Sequence, residues 1–222
     1  MAEPLLEARG LDKTYRRGAE RVHAVAGIDL ALFPGELVAL VGPSGSGKSS
    51  LLRILACVDR PTGGSVRVGD LDVAALGARG RRRVRRRQIG YVFQRPSDNL
   101  LPYLTAREQL DLAARLRGGQ RAGEAERLLA ALGLEHRAGH RPEQLSGGEQ
   151  QRLAFAAAVI GGPALVVADE PTAELDSEAG ERLMRAVLGL REQGTSLVLS
   201  SHDPVVTGAV DGVVRLHDGE VS

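Results

Sequence analysis

The segment that most constrains this chain is Gly42-Pro43-Ser44-Gly45-Ser46-Gly47-Lys48-Ser49, which fits the pattern G-x-x-x-x-G-K-[ST]. It follows the continuous apolar run Leu37-Val38-Ala39-Leu40-Val41, as a strand buried on both faces would read, and a helix is expected from Ser49 to Ala56. Strand, glycine-rich loop and helix in that order are the setting the pattern requires, which disfavours an accidental Gly-Ser surface loop. The glycines let the backbone curl until successive N–H groups point at phosphate oxygens, and the helix N-terminus adds its positive end. In such a loop Lys48 reaches the β- and γ-phosphates of a nucleoside triphosphate, and the Ser49 hydroxyl holds Mg²⁺. Gly42 through Ser50 are therefore the candidate phosphate-binding residues. The loop alone leaves the reaction open, because kinases, GTPases and motors share it.

A second apolar strand, Leu165-Val166-Val167-Ala168, ends in Asp169-Glu170. Ligands of open α/β sheets bind at the carboxyl ends of strands, which places both carboxylates beside the phosphate loop. Asp169 is expected to hold Mg²⁺ through its water shell, and Glu170 to orient or deprotonate the attacking water. Around these strands, Leu5–Tyr15 reads as an edge strand and turn, and Val22–Leu32 as an alternating strand closed by Pro34-Gly35. Ser65–Val68, Gln88–Phe93 and Leu197–Ser200 read as short strands, and Ser177–Arg191 as a helix ended by Gly194. From about Pro96 to Gly148 the apolar period becomes helical, so the pattern is an α/β core with a helical insertion.

Composition closes off several classes. The chain carries 29 basic and 28 acidic residues, so nothing draws it globally to nucleic acid, and 43% apolar content excludes disorder. Cys57 stands alone and fits a reducing compartment. Met-Ala-Glu-Pro is not a basic stretch followed by an apolar run, and the longest uncharged run, Leu153–Ala168, is broken by Gly161-Gly162-Pro163, so neither a secretory signal nor a membrane crossing is expected. Of the 29 cations only Lys13 and Lys48 are lysine, which draws attention to Lys48, since a compact ammonium can act where a guanidinium cannot.

Leu145-Ser146-Gly147-Gly148-Glu149-Gln150 precedes an apolar helix expected over Gln151–Ile160. A hydroxyl and open N–H groups at that helix end would make a second anion site, which suggests that two protomers share each nucleotide. Here the sequence resembles the ATP-binding-cassette family, whose signature LSGGQ stands in this chain as LSGGEQ. The resemblance covers nearly the whole chain, with the motifs in the family's order. It implies a single cassette over residues 1–222: a P-loop ATPase core on a mixed or parallel sheet, an N-terminal antiparallel β subdomain, and a helical subdomain over approximately 96–160. It further implies that Tyr15 stacks on adenine, and that Gln94, after Ile89-Gly90-Tyr91-Val92-Phe93, links Mg²⁺ and water to the transporter interface. Ser146, Gly147, Gly148, Glu149 and Asp176 join the nucleotide contacts, and His202 contacts the γ-phosphate. The implied catalytic set is Lys48, Gln94, Glu170 and His202, the metal set Ser49, Gln94 and Asp169, and the cofactors ATP and Mg²⁺.

Phe93-Gln94 followed by Asn99-Leu100-Leu101-Pro102-Tyr103-Leu104-Thr105-Ala106 resembles the macrolide-exporter and lipoprotein-release branch, as does Arg141-Pro142-Glu143-Gln144 before the signature. That branch implies a homodimer, an integral membrane permease docked near Gln94–Tyr103, a peripheral place at the cytoplasmic face of the membrane, and no specific nucleic acid. Leu100, Leu101 and Tyr103 are expected to line the groove for the permease helix. The rival is a soluble cassette ATPase without a membrane partner, although repair members carry a long coiled-coil insertion and translation members two cassettes. Glu174 departs from the family, which usually carries an uncharged residue there. A carboxylate at that place would repel the partner's γ-phosphate unless it is screened or turned to solvent. The run Arg79, Arg81, Arg82, Arg83, Arg85, Arg86 and Arg87 reads first as a solvated face, then as a contact for lipid headgroups or permease acids, and last as a nucleic-acid site.

Overall fold

The computed structural model describes residues 3–222 apart from residues 19, 120 and 121, and for Arg17 the backbone alone. In chain order the elements are β1 (Leu6–Arg17), β2 (Glu20–Leu32), β3 (Leu37–Val41), α1 (Lys48–Leu55), β4 (Gly63–Val68), β5 (Leu71–Asp72), α2 (Ala78–Gln88) and β6 (Ile89–Val92). Then follow α3 (Ala106–Arg117), α4 (Glu124–Ala131), α5 (Gly147–Val159), β7 (Leu165–Ala168), α6 (Ser177–Glu192), β8 (Ser196–Ser200), α7 (Pro204–Gly208), β9 (Gly212–His217) and β10 (Glu220–Val221). The strands form an antiparallel sheet, β2-β1-β4-β5, and a larger sheet, β10-β9-β3-β8-β7-β6, parallel except for β10.

The central strands are apolar throughout because both of their faces are covered. Alternate residues go to opposite cores, as a pleat requires. Leu37 and Ala39 of β3, Val166 and Ala168 of β7, and Leu197 and Leu199 of β8 pack with Leu110, Leu129, Phe155 and Leu183 of α3 to α6. Val38, Leu40, Leu165, Val167 and Val198 pack instead with Leu51 and Leu52 of α1 and with Leu6, Leu11 and Ile28 of the antiparallel sheet. The helices between β6 and β7 thus share an apolar core with the sheet.

One expectation changes, and two further elements are added. β1 is interior rather than an edge, paired to β2 on one side and β4 on the other; its register shifts around Gly10 blur the alternation that a paired strand shows. The arginine run forms a helix, α2, which its charge hides from any apolar periodicity. The chain after His202 builds β9 and β10, joined by Asp218-Gly219 at φ 49° and 86°, the positive pair that a tight two-residue hairpin demands. Cys57 is buried just beyond α1, and burial pushes its thiol up to about 11, as suits an inert packing residue.

Candidate active site

β3, β8, β7 and β6 lie side by side and parallel, so the segments leaving their carboxyl ends emerge along one edge of the sheet. Leu40 pairs with Ser200, Leu199 with Ala168, and Ala168 with Val92. That register places, side by side, the phosphate loop, Ser201-His202, Asp169-Glu170 and Gln94.

The loop is braced from behind. A Cβ on Gly42 would stand 2.1 Å from the Leu216 carbonyl oxygen, and one on Gly47 2.1 Å from that of Ala24, so only glycine fits at either position. The Gly219 N–H donates to the Ser46 carbonyl at 3.1 Å, and the Gly219 carbonyl accepts from Ala26 N–H at 2.9 Å. This hairpin support was absent from the sequence-predicted set, and the Asp218-Gly219 pair is the signal that marks it. α1 is preceded by Gly47, φ 98°, with no side-chain cap and no acid in its first turn. Its leading N–H groups are therefore open to an anion. Lys48 is 6% exposed, and its ammonium reaches back to donate to the carbonyls of Gly42 at 2.7 Å and Pro43 at 2.9 Å. Ser49 faces outward at the first turn, and the buried Ser46 hydroxyl has no partner among the described residues.

Asp169 is nearly buried and accepts from the Ser200 hydroxyl at 2.7 Å, while that same hydroxyl accepts the Glu170 N–H at 2.8 Å. Ser200 thus ties both acids to the end of β8. Sequence reasoning missed it, its only signal being its place at the carboxyl end of an apolar strand. Glu170 adopts φ 48°, a strained left-handed conformation for a residue with a side chain. Its Oε1 lies 3.3 Å from His202 Nε2, so the structure brings these two predicted residues together. Ser200→Ala leaves the Glu170 N–H and one Asp169 oxygen unpaired, a loss of about 1–3 kcal/mol for a buried polar group. The expected result in steady-state assays is a kcat lowered roughly tenfold, with ATP affinity by titration unchanged.

Gln94 is exposed two residues after β6, on a loop held by Asn99, which accepts the Phe93 N–H at 2.8 Å and donates to the Tyr91 carbonyl at 2.7 Å. Tyr15 lies on β1, 36% exposed, and its hydroxyl donates to Asp59 Oδ2 at 3.1 Å. Burial raises its phenol above the ordinary range, with Asp59 adding to the effect. Lys13 Nζ sits 4.9 Å from the Tyr15 ring centroid. Both lysines of the chain therefore stand at predicted nucleotide contacts.

Ser146 caps α5. Its hydroxyl accepts the Glu149 N–H at 3.2 Å, and Glu149 Oε2 accepts the Ser146 N–H at 2.8 Å. Arg137 Nε donates to the other oxygen of Glu149 at 2.8 Å. Burial pushes the Glu149 carboxyl up, but the Ser146 amide and the Arg137 guanidinium outweigh it and hold the group below its ordinary value. The Glu149 side chain is held in the cap. Ser146 and Gly147 are exposed at the open helix end, and no hydrogen bond among the described residues joins them to the phosphate loop. Asp176 caps α6 through the Ala179 N–H at 2.8 Å. Glu174 does not point away from the signature: its Oε2 would stand 3.2 Å from a Cβ on Gly147, against the first turn of α5.

Residues 25–173 match the family described as ABC transporter. The chain is 44% identical over 221 residues to the macrolide export ATP-binding/permease protein MacB of Marinobacter nauticus, and 42% identical to that of Escherichia coli strain K12. Each match covers 98% of this chain and 34% of the relative, so the chain spans about a third of the length of these proteins. Among solved structures it is similar to the ATP-binding cassette MJ0796 in a dimeric post-hydrolysis state bound to ADP and Pi. That likeness has TM-score 0.92 and 38% identity, over 98% of this chain and 96% of the other. It is also similar to an ATP-binding subunit of an ABC transporter, with TM-score 0.85 and 29% identity, over 98% of this chain and 88% of the other. With a phosphate loop, paired acids and a capped signature helix on the same α/β frame, the chain belongs to the ABC transporter family as an ATP-binding cassette ATPase.

Proposed function

We propose that two copies of this chain meet head to tail around two ATP–Mg²⁺, and that hydrolysis drives an attached membrane permease. The observation that carries this reading is the division of the site. Lys48, Asp169, Glu170 and His202 gather on one sheet edge, while among the described residues the open end of α5 makes no hydrogen bond to that edge. A second copy would bring its own Ser146, Gly147 and Gly148 to the γ-phosphate. The dimeric state of the MJ0796 cassette supports the arrangement.

In this reading Lys48 exchanges the Gly42 and Pro43 carbonyls for β- and γ-phosphate oxygens, and Tyr15 stacks on the adenine. Glu170, beside His202, orients the attacking water and accepts its proton, and His202 contacts the γ-phosphate. The Ser49 hydroxyl and the Asp169 carboxylate are hard oxygen donors, with Gln94 adding a third. No cluster of three or more His, Cys, Asp or Glu stands among the described residues. So few protein oxygens fit Mg²⁺, which keeps water and phosphate oxygens as its other ligands. When bound, Mg²⁺ neutralises charge on the phosphates. Glu174 has to leave Gly147 as the partner's γ-phosphate arrives, since two anions would otherwise share one helix end.

The permease site is a groove of 430 Å³ between the sheet edge and the helices, lined among others by Tyr91, Phe93, Leu101, Leu112, Leu116 and Ala157. Of the three expected anchors only Leu101 lines it. Leu100 is in the core, and Tyr103, 65% exposed, lies outside the lining. The groove suits an amphipathic helix, and no helix among the described residues is long and apolar enough to cross a membrane itself. We therefore place the chain peripherally, at the cytoplasmic face of a membrane. Leu101→Asp replaces an apolar anchor by a carboxylate in a groove that Arg85 and Arg117 also line. It should release the permease in co-purification while basal ATP hydrolysis stays near the parental rate. Recovery at parental yield would move the docking site elsewhere.

A further inference from the structure

α2 carries seven arginines in eleven residues, and the structure divides them into two groups. Arg81 donates to the Leu76 carbonyl at 2.7 Å, and Arg85 to the Cys57 carbonyl at 2.8 Å, on the side where Val84 is buried. These two fasten the helix to the body. Arg79, Arg82, Arg83, Arg86 and Arg87 fall at i, i+3, i+4, i+7 and i+8, one stripe about 140° wide and about 12 Å long. All five are exposed, and none makes an ion pair or hydrogen bond among the described residues. The stripe also brings like charges together within the helix, although Arg86 and Arg87 sit favourably in its last turn. Arg79 with Arg83, Arg82 with Arg86, and Arg83 with Arg87 are like charges at i, i+4, and Arg79 adds positive charge to the first turn. An array of anions outside the chain would relieve all of these terms together.

We propose that this stripe is a membrane-docking face that binds the phosphates of anionic lipid headgroups. Guanidinium matches phosphate in a bidentate fork, and four to eight basic residues on one helix face are enough to hold a protein on an anionic leaflet. No aromatic or apolar side chain interrupts the stripe, so it has no stacking platform for bases and no shape to read a folded acidic segment. A fluid layer of phosphates asks only for charge at regular spacing. The position agrees as well, because Arg85 of the same helix lines the groove assigned above to the permease, which sets α2 beside that docking site. That one point rests on the permease reading; the charge argument does not.

The test uses the purified chain without permease, in sedimentation with vesicles of phosphatidylcholine alone or with about one third phosphatidylglycerol. Binding is expected only to the anionic vesicles and should fade at high salt, as the screening length shrinks to about 3 Å. Replacing all five stripe arginines by glutamine should weaken partition at least about tenfold, while replacing all five by lysine keeps most of it. A charge-matched variant, with Arg67, Arg115, Arg127, Arg141 and Arg185 changed to glutamine, should bind like the parent. The stripe-to-glutamine variant should melt at or above the parental temperature, since it removes repulsion, and should hydrolyse ATP normally. Lack of binding to anionic vesicles overturns the proposal, and so does equal loss in the stripe and charge-matched variants. If the parent ignores vesicles but the stripe variant loses a co-purifying permease, the occupant is a protein acid and the lipid assignment fails. A Leu101→Asp variant that loses the permease yet still binds vesicles separates this face from the groove.

Discussion

Lys48→Ala is expected to lower kcat by about 10²–10³ and to weaken ATP binding, with the fold intact. The magnitude follows from where the ammonium sits. Lys48 is buried within the loop and donates to the carbonyls of Gly42 and Pro43, so its loss removes a positive charge and uncovers two oxygens aimed at the same space. The phosphates would then meet carbonyl dipoles of the wrong sign in place of a cation. Arginine should not rescue the variant, although nearly every other cation in the chain is arginine, because its planar fork is larger than the ammonium it replaces. Phosphate release and the ATP-induced rise in melting temperature are the two readouts. A parental rate of phosphate release would overturn the assignment of the loop.

Glu170→Gln is the second large effect, and it separates binding from chemistry. The amide keeps the size of the side chain, and the backbone N–H keeps its bond to Ser200, so the strained φ 48° conformation should survive. Only the basicity goes. Loss of a positioned general base lowers the rate by about 10²–10⁴, whereas nucleotide contacts through Lys48, Ser49 and Asp169 remain. ATP binding should hold or tighten, because one negative charge near the γ-phosphate has been removed. Hydrolysis at the parental rate would show that another residue activates the water.

Much of this site can be read from the chain before any coordinates, for local reasons. The phosphate loop is a contiguous pattern whose glycines meet real steric limits, seen in the backbone oxygens of Leu216 and Ala24 that crowd Gly42 and Gly47. The continuous apolar strands show in the sequence because both of their faces are covered. What stays hidden is what depends on neighbours distant in the chain. Ser200 looks like any serine at a strand end until the parallel register sets it beside Asp169 and Glu170. Glu149 gives no sign in the sequence that Arg137, on another segment, holds its carboxylate in the cap. β1 looks like an edge because its bulges blur the alternation, and α2 is concealed because charge, not apolar spacing, dominates it. Leu100 and Leu101 are adjacent and equally apolar, yet one enters the core and the other the groove, a difference that only the turn of the backbone decides.

The proposed function requires a nucleotide shared between two copies, with Lys48 of one chain and Ser146 of the other on the same ATP. Light scattering on a sizing column measures this most directly, using Glu170→Gln protein so that bound ATP persists. With saturating ATP and Mg²⁺ the mass should double, because trapped ligand stabilises the closed form by mass action. It should stay that of one chain with ADP, without nucleotide, or when Lys48→Ala is added. A Glu170→Gln protein that hydrolyses slowly, binds ATP and still runs as a single chain, even with the permease present, would contradict the shared site.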